Sequence, residues 1–530
     1  MTDLTAIGRR TLLGGLVAAA AIPARAANGP RHLTLAAIAA PTALDPHFYN
    51  SPTNNQALRQ IYDTLTVEDV HGQLQPGLAT SWRNVSPLVW EFDLRSGVRF
   101  HDGTPLVPDD VAFSVARVPQ VPNSAGPFLS FINSIERVEA TGDTSLRVVT
   151  NRPNPFLLRD LGSIFILSRR LHENGATADF NTGRLAVGTG PYRYTGFTLG
   201  ERLELAGNDA YWGGRPDWDT VSIRYVSNGG ARIAGLLAGD FDLVDGIPAQ
   251  DVARLSAQPN LSVAGLNSAH SAYLFPDTDR DEAPFVTDRA GRPLGRNPLK
   301  DVRVRQALSL AIHRAGLVDR LLQGQGQVAD QFAPLAAPDR LPGLPPLPTD
   351  LARARALLSE AGYPNGFNLT IHGPSGYFNG DAAVLAGIAQ GFTRIGVQTT
   401  AETLPLSVFF TRATRREFAL FLSTYGSTSG VDLLRQIVAT RRTEERTGAF
   451  NRQHYANPDV DVPLTGALRE MDDDRRLALS RQAQQALLND LGVLPLFYVR
   501  YNWAGRRDKV RYEPGNAYGH TNVNYARSAA

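Results

Sequence analysis

The stretch WEFDLRSGVRFHDGTPLVPDDVAFS, residues 90–114, carries the clearest structural pattern in this sequence. Trp90, Phe92 and Leu94 alternate with charged side chains, which is the two-residue period of a half-buried β-strand. Two dipeptides that tolerate a positive φ interrupt the pattern, Ser96-Gly97 and Asp102-Gly103. The stretch therefore predicts a strand, a turn, a second strand, another turn and then a helix.

Prolines and acidic residues mark the start of the predicted helix. Pro105 breaks the second strand, and Pro108 falls in a first helical turn, where a missing N–H is tolerated. Asp109 and Asp110 then place negative charge at the positive end of the helix dipole. Val107 falls at the N-cap, where an apolar side chain caps poorly, so we expect the helix to depend on Pro108 and on packing.

Strand and helix patterns alternate along the rest of the chain. After a first strand, a helix with Leu58, Ile61 and Leu65 on one face is predicted, and residues 240–244 read as a strand. Later, residues 381–395 form a predicted helix that Gly396 ends before a further strand. Strand–helix–strand order of this kind favours an α/β fold with βαβ units.

Several short blocks, taken in order, resemble one family of proteins. Besides residues 90–114, they are LATSW (78–82), GTGPY (188–192), NDAYW (208–212), DVRVRQAL (301–308) and LPLFY (494–498). In order and spacing they resemble the extracytoplasmic solute-binding proteins of the peptide/nickel ABC importers. The resemblance extends over nearly the whole chain after its first residues.

This resemblance implies a three-domain, hinge-closing fold of the periplasmic binding protein type. Two α/β lobes would face each other across a ligand cleft, with an extra domain attached to the first lobe. We expect the following boundaries: lobe I, residues 27–72, 186–290 and 497–530; domain II, residues 73–185; lobe III, residues 291–496. The stretch 90–114 then lies in domain II, which we expect the ligand not to contact.

The first residues read as an export signal. Arg9-Arg10 precedes the apolar residues 12–22, and Ala24-Arg25-Ala26 matches a cleavage site, so residues 1–26 are interpreted as a signal peptide. The paired arginines favour the twin-arginine type, and an ordinary secretory signal is the alternative. Removal of this segment takes away three of the 53 basic residues, all arginines, and one of the 51 acidic residues, an aspartate, which leaves 50 of each.

Composition limits the classes of protein that remain. A chain of 530 residues is too long for one hydrophobic core, so two or three lobes are expected. The neutral balance after the signal gives no reason to expect a nucleic acid or an anionic membrane as partner. The chain contains no cysteine, which excludes disulfides, thiolate metal sites and lipid attachment to a cysteine. We therefore expect a free periplasmic protein.

Enzyme signatures are missing. Residues 373–376 (GPSG) do not form a nucleophile elbow, and residues 188–190 lack the third glycine of a dinucleotide-binding fingerprint. There is no HExxH motif or P-loop, and the ten histidines include no pair at i, i+3 or i, i+4. We therefore expect no catalytic residues, no metal site and no cofactor. A periplasmic hydrolase and a nickel- or metallophore-binding protein remain the alternatives.

Candidate ligand contacts come first from segments that the resemblance places at the lobe interface. Asn50, Ser51 and Asn54 follow the first strand, and their polar groups suit a pocket with a few directed hydrogen bonds. A plain loop is the alternative there. Tyr273 and Tyr498 lie in two other such segments, and for both the alternative is packing in the core.

The most discriminating candidate segment is the polar loop after the apolar residues 418–422. The resemblance implies an aromatic residue here and, three positions on, an aspartate for the α-ammonium of a peptide; Tyr425 matches the first, and Thr428 stands at the second. A hydroxyl cannot offset a buried ammonium. We do not expect Asp432 to replace the aspartate. The expected ligand contacts of this region are Arg412, Tyr425, Gly426, Ser427 and Thr428, with a solvated helix face as the alternative for Arg412.

The sequence thus predicts the periplasmic solute-binding component of an ABC importer. The resemblance implies a peptide or peptide-like ligand, captured between two lobes and delivered to the membrane permease. The hydroxyl-rich loop leaves open a non-peptide solute, such as a sugar-like or opine-like molecule or a metallophore. We expect the protein to be monomeric.

Overall fold

The computed structural model describes residues 29–123, 128–442 and 447–529. The interpretation of residues 1–26 as a signal peptide falls outside these residues. Twenty strands run through the described part: β1 His32–Ala37, β2 Thr66–Glu68, β3 Leu74–Pro76, β4 Ala79–Ser86, β5 Val89–Leu94, β6 Ile135–Ala140, β7 Ser145–Thr150, β8 Tyr192–Thr198, β9 Arg202–Gly207, β10 Thr220–Tyr225, β11 Leu243–Asp245, β12 Leu261–Pro276, β13 Val286–Thr287, β14 Gly326–Val328, β15 Asn368–Ser375, β16 Gln398–Pro405, β17 Leu420–Gly426, β18 Leu494–Arg506, β19 Val510–Tyr512 and β20 Ala526–Ser528.

The same residues contain sixteen α-helical segments. They are α1 Pro52–Leu58, α2 Pro108–Arg117, α3 Leu129–Ile132, α4 Leu157–Leu161, α5 Arg169–His172, α6 Thr177–Asn181, α7 Gly229–Ala238, α8 Ala249–Ser256, α9 Val302–Ala311, α10 Arg314–Gly316, α11 Leu351–Glu360, α12 Asp381–Arg394, α13 Leu406–Thr414, α14 Gly430–Ile437, α15 Pro458–Ala467 and α16 Asp473–Asp490. No helix in the described ranges combines the length and the apolar character needed to cross a membrane.

One large mixed sheet runs through most of the molecule. Ten of its twelve strands follow the order β13-β15-β17-β12-β18-β11-β1-β10-β9-β8, while β14 pairs with β18 and β16 with β15. Parallel pairs occur on both sides of the central strands, between β1 and β10 and between β15 and β16. Helix α12 connects β15 to β16, so the predicted α/β class is confirmed.

The two longest strands, β12 and β18, join the two halves of this sheet. Residues 261–267 of β12 pair with residues 500–506 of β18, next to β11 and β1. The register then shifts between Asn267 and Ser271, and residues 271–274 pair with residues 494–498, next to β17. An irregularity in the middle of a strand pair bends the ladder, so the pairing partners change at this point of the chain. The domain boundaries given above stay a prediction.

Domain II contains the stretch 90–114 and a separate antiparallel sheet in the order β4-β5-β7-β6. Trp90, Phe92 and Leu94 are buried in β5, as their alternation predicts. The predicted second strand is wrong, because only a single bridge between Arg99 and Pro105 forms there. The two glycine turns have closed the chain too tightly for a longer ladder, with Gly97 and Gly103 both at positive φ.

Helix α2 begins as predicted, but its N-terminus has a further support. Val107 occupies the N-cap and provides no side-chain hydrogen bond, and Pro108 is the first helical residue. The carboxylate of Asp110 accepts a hydrogen bond of 2.9 Å from the backbone N–H of Val107. This contact satisfies the backbone N–H of Val107 at the helix start, so the helix does not depend on Pro108 and packing alone.

Two predicted elements end or begin elsewhere. Helix α1 stops at Leu58, and Ile61 and Leu65 are buried in the turns that follow it. The strand predicted at residues 240–244 begins only at Leu243, because Gly239 closes helix α7 at positive φ and the chain first turns back toward the sheet. In both cases the apolar spacing marks burial correctly but not the bounds of the element.

A buried ion pair connects the loop after β1 to domain II. Arg117 donates two hydrogen bonds to the carboxylate of Asp45, at 2.8 and 2.7 Å, and both side chains are almost inaccessible to solvent. Burial alone would raise the pKa of Asp45, but the guanidinium of Arg117 lowers it below its ordinary value. The pair therefore stays charged inside the protein and fixes the position of domain II on lobe I.

We expect Arg117→Gln to destabilise the protein by about 3–5 kcal/mol, because it leaves the carboxylate of Asp45 buried without its partner charge. The matched control is Arg83→Gln, which removes an exposed ion pair with Glu91 and should cost about 1 kcal/mol or less. Urea-induced unfolding followed by circular dichroism measures both. Equal losses in the two variants would contradict the assignment.

Candidate functional site

A cavity of about 410 Å³ lies where the central strands cross between the halves of the large sheet. Its walls come from the loop after β1, from His270 of β12, from the end of β17 and from β18. Domain II and the C-terminal segment near residue 518 complete them. Ligands in open α/β sheets bind in such crevices, and the volume falls within the ordinary range of small-molecule sites. This cavity is the candidate site.

Aromatic side chains form one wall of the cavity. Tyr425 stands at the end of β17 with its ring 5.6 Å from that of Phe450 and 5.5 Å from that of Phe275. Its hydroxyl accepts a hydrogen bond from Arg452, whose guanidinium lies 5.1 Å from the ring centre of Phe410. The wall is therefore rigid, apolar and close to a cation, which suits the flat or apolar part of a solute.

Thr428 lies behind the cavity surface in a charged cluster. Its hydroxyl donates a hydrogen bond of 2.6 Å to the carboxylate of Glu68 and accepts one from Arg159, and Arg159 also forms an ion pair with Glu68. Tyr518 donates a hydrogen bond of 2.9 Å to the second oxygen of Glu68. Glu68, Arg159 and Tyr518 line the cavity, whereas Thr428 is 1% exposed. A carboxylate is thus present near position 428, but Arg159 already balances its charge.

Asp432 belongs to a second charged cluster. Arg435 donates hydrogen bonds of 2.5 Å to Asp432 and 2.8 Å to Asp160 of domain II, and Ser427 donates one of 2.8 Å to Asp432. Burial would lower the pKa of Arg435, but the carboxylates of Asp160 and Asp432 raise it. The carboxylate of Asp432 therefore has its own cation, which agrees with the expectation that it does not replace the missing aspartate.

Arg59 differs from the other charged groups of the cavity. It lines the cavity at the end of α1, and within the described residues its side chain donates a single, long hydrogen bond of 3.4 Å to the carbonyl of Gly162. No carboxylate of the described residues lies within ion-pair distance of its guanidinium. Burial lowers the pKa of Arg59, and the more distant Asp63 offsets this only in part.

Two histidines line the same cavity, His270 buried in β12 and His520 half-buried in the C-terminal segment. The ring of His270 contacts the rings of Tyr501 and Tyr518 edge-on, and His520 stacks on Tyr518 at 5.8 Å. Burial lowers the pKa of His270 to about 4 and that of His520 well below its ordinary value. Both imidazoles are therefore neutral near pH 7. In the residues described, no group of three histidine, aspartate or glutamate side chains is arranged to hold a metal ion.

Some of the predicted site residues lie at the cavity and others lie behind it. Asn50, Ser51, Tyr425 and Gly426 line it. Asn54 is buried beneath the loop, where its side chain accepts a hydrogen bond of 3.0 Å from the backbone of Thr42. Ser427 and Thr428 support the wall from the clusters described above. These seven residues therefore form one continuous region around the cavity.

Tyr273, Tyr498 and Arg412 lie outside the cavity lining. Tyr273 is fully buried and donates a hydrogen bond of 2.8 Å to the carbonyl of Phe332. The hydroxyl of Tyr498 donates a hydrogen bond to Asp330 and accepts one from Arg340. Arg412 packs over Phe418 and pairs with Glu417. None of the three lines the cavity in this conformation, because both tyrosines are turned into the core; their interpretation as ligand contacts stays a prediction.

Part of domain II faces the cavity, while the expectation that the ligand does not contact this domain stays a prediction. No residue of the stretch 90–114 lines the cavity, but Phe131, Arg159, Asp160 and Ser163 of the same domain do. Sequence reasoning also missed the cavity residues Arg59, Glu68, Tyr377 and Tyr518. Local patterns do not mark Arg59, because it ends the largely polar segment PTNNQALR, residues 52–59.

Comparisons with known proteins agree with this architecture. The family profile described as "Bacterial extracellular solute-binding proteins, family 5 Middle" matches residues 73–433. Heme-binding protein A of Haemophilus influenzae is 25% identical over 86% of this chain and 85% of its own length. Di/tripeptide-binding protein 2 of Pseudomonas aeruginosa is 26% identical over 97% of both chains.

A solved structure shares the fold. It is the ABC transporter-associated periplasmic binding protein DppA from Helicobacter pylori in complex with the peptide STSA. The TM-score is 0.80 at 24% sequence identity, and the match covers 94% of this chain and 99% of the other. At this identity the likeness supports the fold alone.

We expect the stability of the protein to fall as the pH decreases from 6.5 toward 4. The unfolded state takes up a proton on His270 near pH 6.5, whereas the folded state does so only near pH 4, so stability is full above 6.5 and is lost below it. Each histidine of this kind lowers the free energy of unfolding by about 1 kcal/mol for each pH unit between pH 6.5 and pH 4.

The variant His270→Gln should therefore show a smaller drop in melting temperature between pH 7 and pH 4.5 than the unaltered protein. The control His32→Gln changes an exposed ring and should leave the drop unchanged. An identical drop in the His270 variant and the unaltered protein would contradict the neutral, buried state of this ring.

Proposed function

This chain belongs to the bacterial extracellular solute-binding proteins of family 5, and on this premise we propose that it captures a peptide-like solute between its lobes for an ABC importer. The protein performs no chemistry on the solute. Lobe closure buries the solute, and the closed form presents it to the permease subunits at the inner membrane. Contacts from both lobes favour the closed state only when the solute is present.

The position of the cavity carries this proposal. Asn50 and Ser51 approach from lobe I, and Tyr425 and Gly426 approach from lobe III, on either side of β12 and β18. Asn379 of lobe III also donates a hydrogen bond of 2.8 Å to the carbonyl of Ile247 in lobe I. A solute in this cavity contacts both lobes, so its binding energy acts directly on the angle between them.

The lining supports a peptide-like solute. Aromatic rings provide apolar surface, and the loop amides and hydroxyls provide a small number of directed hydrogen bonds, which is the usual composition of small-molecule sites. One of the relatives reported above is named a di/tripeptide-binding protein, and the alignment with it is almost complete. A non-peptide solute remains the alternative, because Thr428 stands where an aspartate is expected.

Export and assembly complete the proposal. Residues 1–26 direct the chain to the periplasm, by the twin-arginine route or by the general secretory one, and the absence of cysteine leaves the protein without a lipid anchor. The protein acts as a monomer, and neither nucleic acid nor a cofactor takes part.

The absence of cysteine makes lobe closure directly measurable with two introduced spin labels. Arg83→Cys in domain II and Asp474→Cys in lobe III place labels on exposed positions of different lobes. We expect the distance between them to shift to one narrow, shorter population when a tripeptide mixture is added. The control pair Arg83→Cys and Glu136→Cys lies within the sheet of domain II and should not respond. A bound solute that leaves both distances unchanged would contradict closure.

We expect Tyr425→Ala to weaken solute binding about tenfold, because the aromatic wall contributes on the order of 1 kcal/mol through ring contacts. Arg412→Ala serves as the matched control from the same lobe, since Arg412 does not line the cavity. Isothermal titration calorimetry with the bound tripeptides measures both. Equal affinities of the two variants would show that the cavity wall is not part of the site.

A further inference from the structure

We infer that the solute carries an anionic group that Arg59 binds, and that a free ammonium group contributes nothing to its affinity. The inference rests on the proposed function and specifies the chemistry of that same cavity. It concerns a carboxylate, phosphate or sulfonate in place of the charged amino terminus of a peptide.

The first observation is that the guanidinium of Arg59 has few hydrogen-bond partners in the protein. A guanidinium has five N–H donors, and here the single hydrogen bond that the described residues provide is the 3.4 Å contact with Gly162. Asp63 is the acidic residue whose charge acts on Arg59, but its carboxylate accepts hydrogen bonds from Trp212 at 2.8 Å and from Thr189 at 3.0 Å. Arg59 therefore offers several donors and a full charge to the cavity.

The second observation is that the acidic residues lining the cavity are already satisfied. Arg159 balances Glu68, and Arg435 balances both Asp160 and Asp432. Asp245 accepts hydrogen bonds from the backbone of Ile38 at 2.8 Å, from Gln56 at 2.8 Å and from Thr521 at 3.1 Å. Asp245 has no cation partner among the described residues, but these three neutral donors compete with a ligand ammonium for it, and burial raises the pKa of Asp245, which disfavours its charged form.

Arg500 adds positive charge to the same lining. It lies between the main cavity and a shallow depression beside Asn267. Its side chain donates a hydrogen bond of 3.0 Å to the side chain of Asn267. No carboxylate of the described residues forms an ion pair with it either. Because water reaches Arg500 from the depression as well, Arg59 remains the better placed of the two to hold a desolvated anion.

Arg59 also lies among groups that do not compete for it. The neighbouring imidazoles of His270 and His520 are neutral, and Tyr518 has its hydroxyl turned to Glu68. The guanidinium is therefore free to form a forked pair with the two oxygens of a ligand anion, and such charge-assisted hydrogen bonds are among the strongest in proteins.

One tripeptide in four forms separates the two end groups. Ala-Phe-Ala is compared as the free peptide, as its N-acetyl acid, as its amide with a free amine, and as its N-acetyl amide, by isothermal titration calorimetry. We expect acetylation to leave the affinity unchanged and amidation to reduce it about tenfold or more, since hydrogen bonds to a charged group are lost. Arg59→Gln should abolish this preference for the acid, and Arg59→Lys should retain part of it.

Two results would overturn the inference. Binding that requires the free amine and ignores amidation would overturn it, while lobe closure on the same peptides would leave the proposed function in place. Unchanged preference for the acid in a folded Arg59→Gln variant would overturn the role of Arg59. A protein that binds none of the four forms, and no component of a periplasmic extract, would overturn both the inference and the proposed function.

Discussion

The pairing of β12 with β18 is the constraint on which the rest of this structure depends. These two strands belong to one ladder at residues 261–267 and to a shifted ladder at residues 271–274, and the lobes are built outward from them on either side. Because the predicted lobes share a single sheet, we expect their relative motion to concentrate at the register shift. The cavity lies beside this shift, so the proposed solute site adjoins the expected hinge.

Charged side chains add a second connection between the lobes, through domain II. Arg435 of lobe III holds Asp160 of domain II, and Thr428 contacts both Glu68 and Arg159. Such buried pairs contribute little net stability but strongly penalise any arrangement that leaves one charge unpaired. They therefore select a specific closed geometry. These pairs neutralise Glu68, Asp160 and Asp432, whereas Arg59 has no carboxylate of the described residues within ion-pair distance and is the cation that we propose a solute neutralises.

Local patterns in the sequence predicted the elements well where one period dominated, as in β5 and in helix α12, which begins and ends close to its expected bounds. Alternation does not tell which face of a strand meets the cavity, and Tyr273 and Tyr498, which the resemblance suggests as contacts with core packing as the alternative, are both buried. The charged cluster at Thr428 could not be predicted at all, since Glu68 lies 360 positions away in the chain. Only the fold brings these groups together.

Native mass spectrometry of the protein purified from the periplasm of its host tests the central claim most directly, because a capture protein leaves its solute chemically unchanged. We predict one small solute per protein molecule, bound without covalent attachment and released on unfolding with the same mass before and after prolonged incubation. A solute of altered mass after incubation would contradict capture without chemistry. A protein that carries no solute and takes up none from a periplasmic extract would contradict capture altogether.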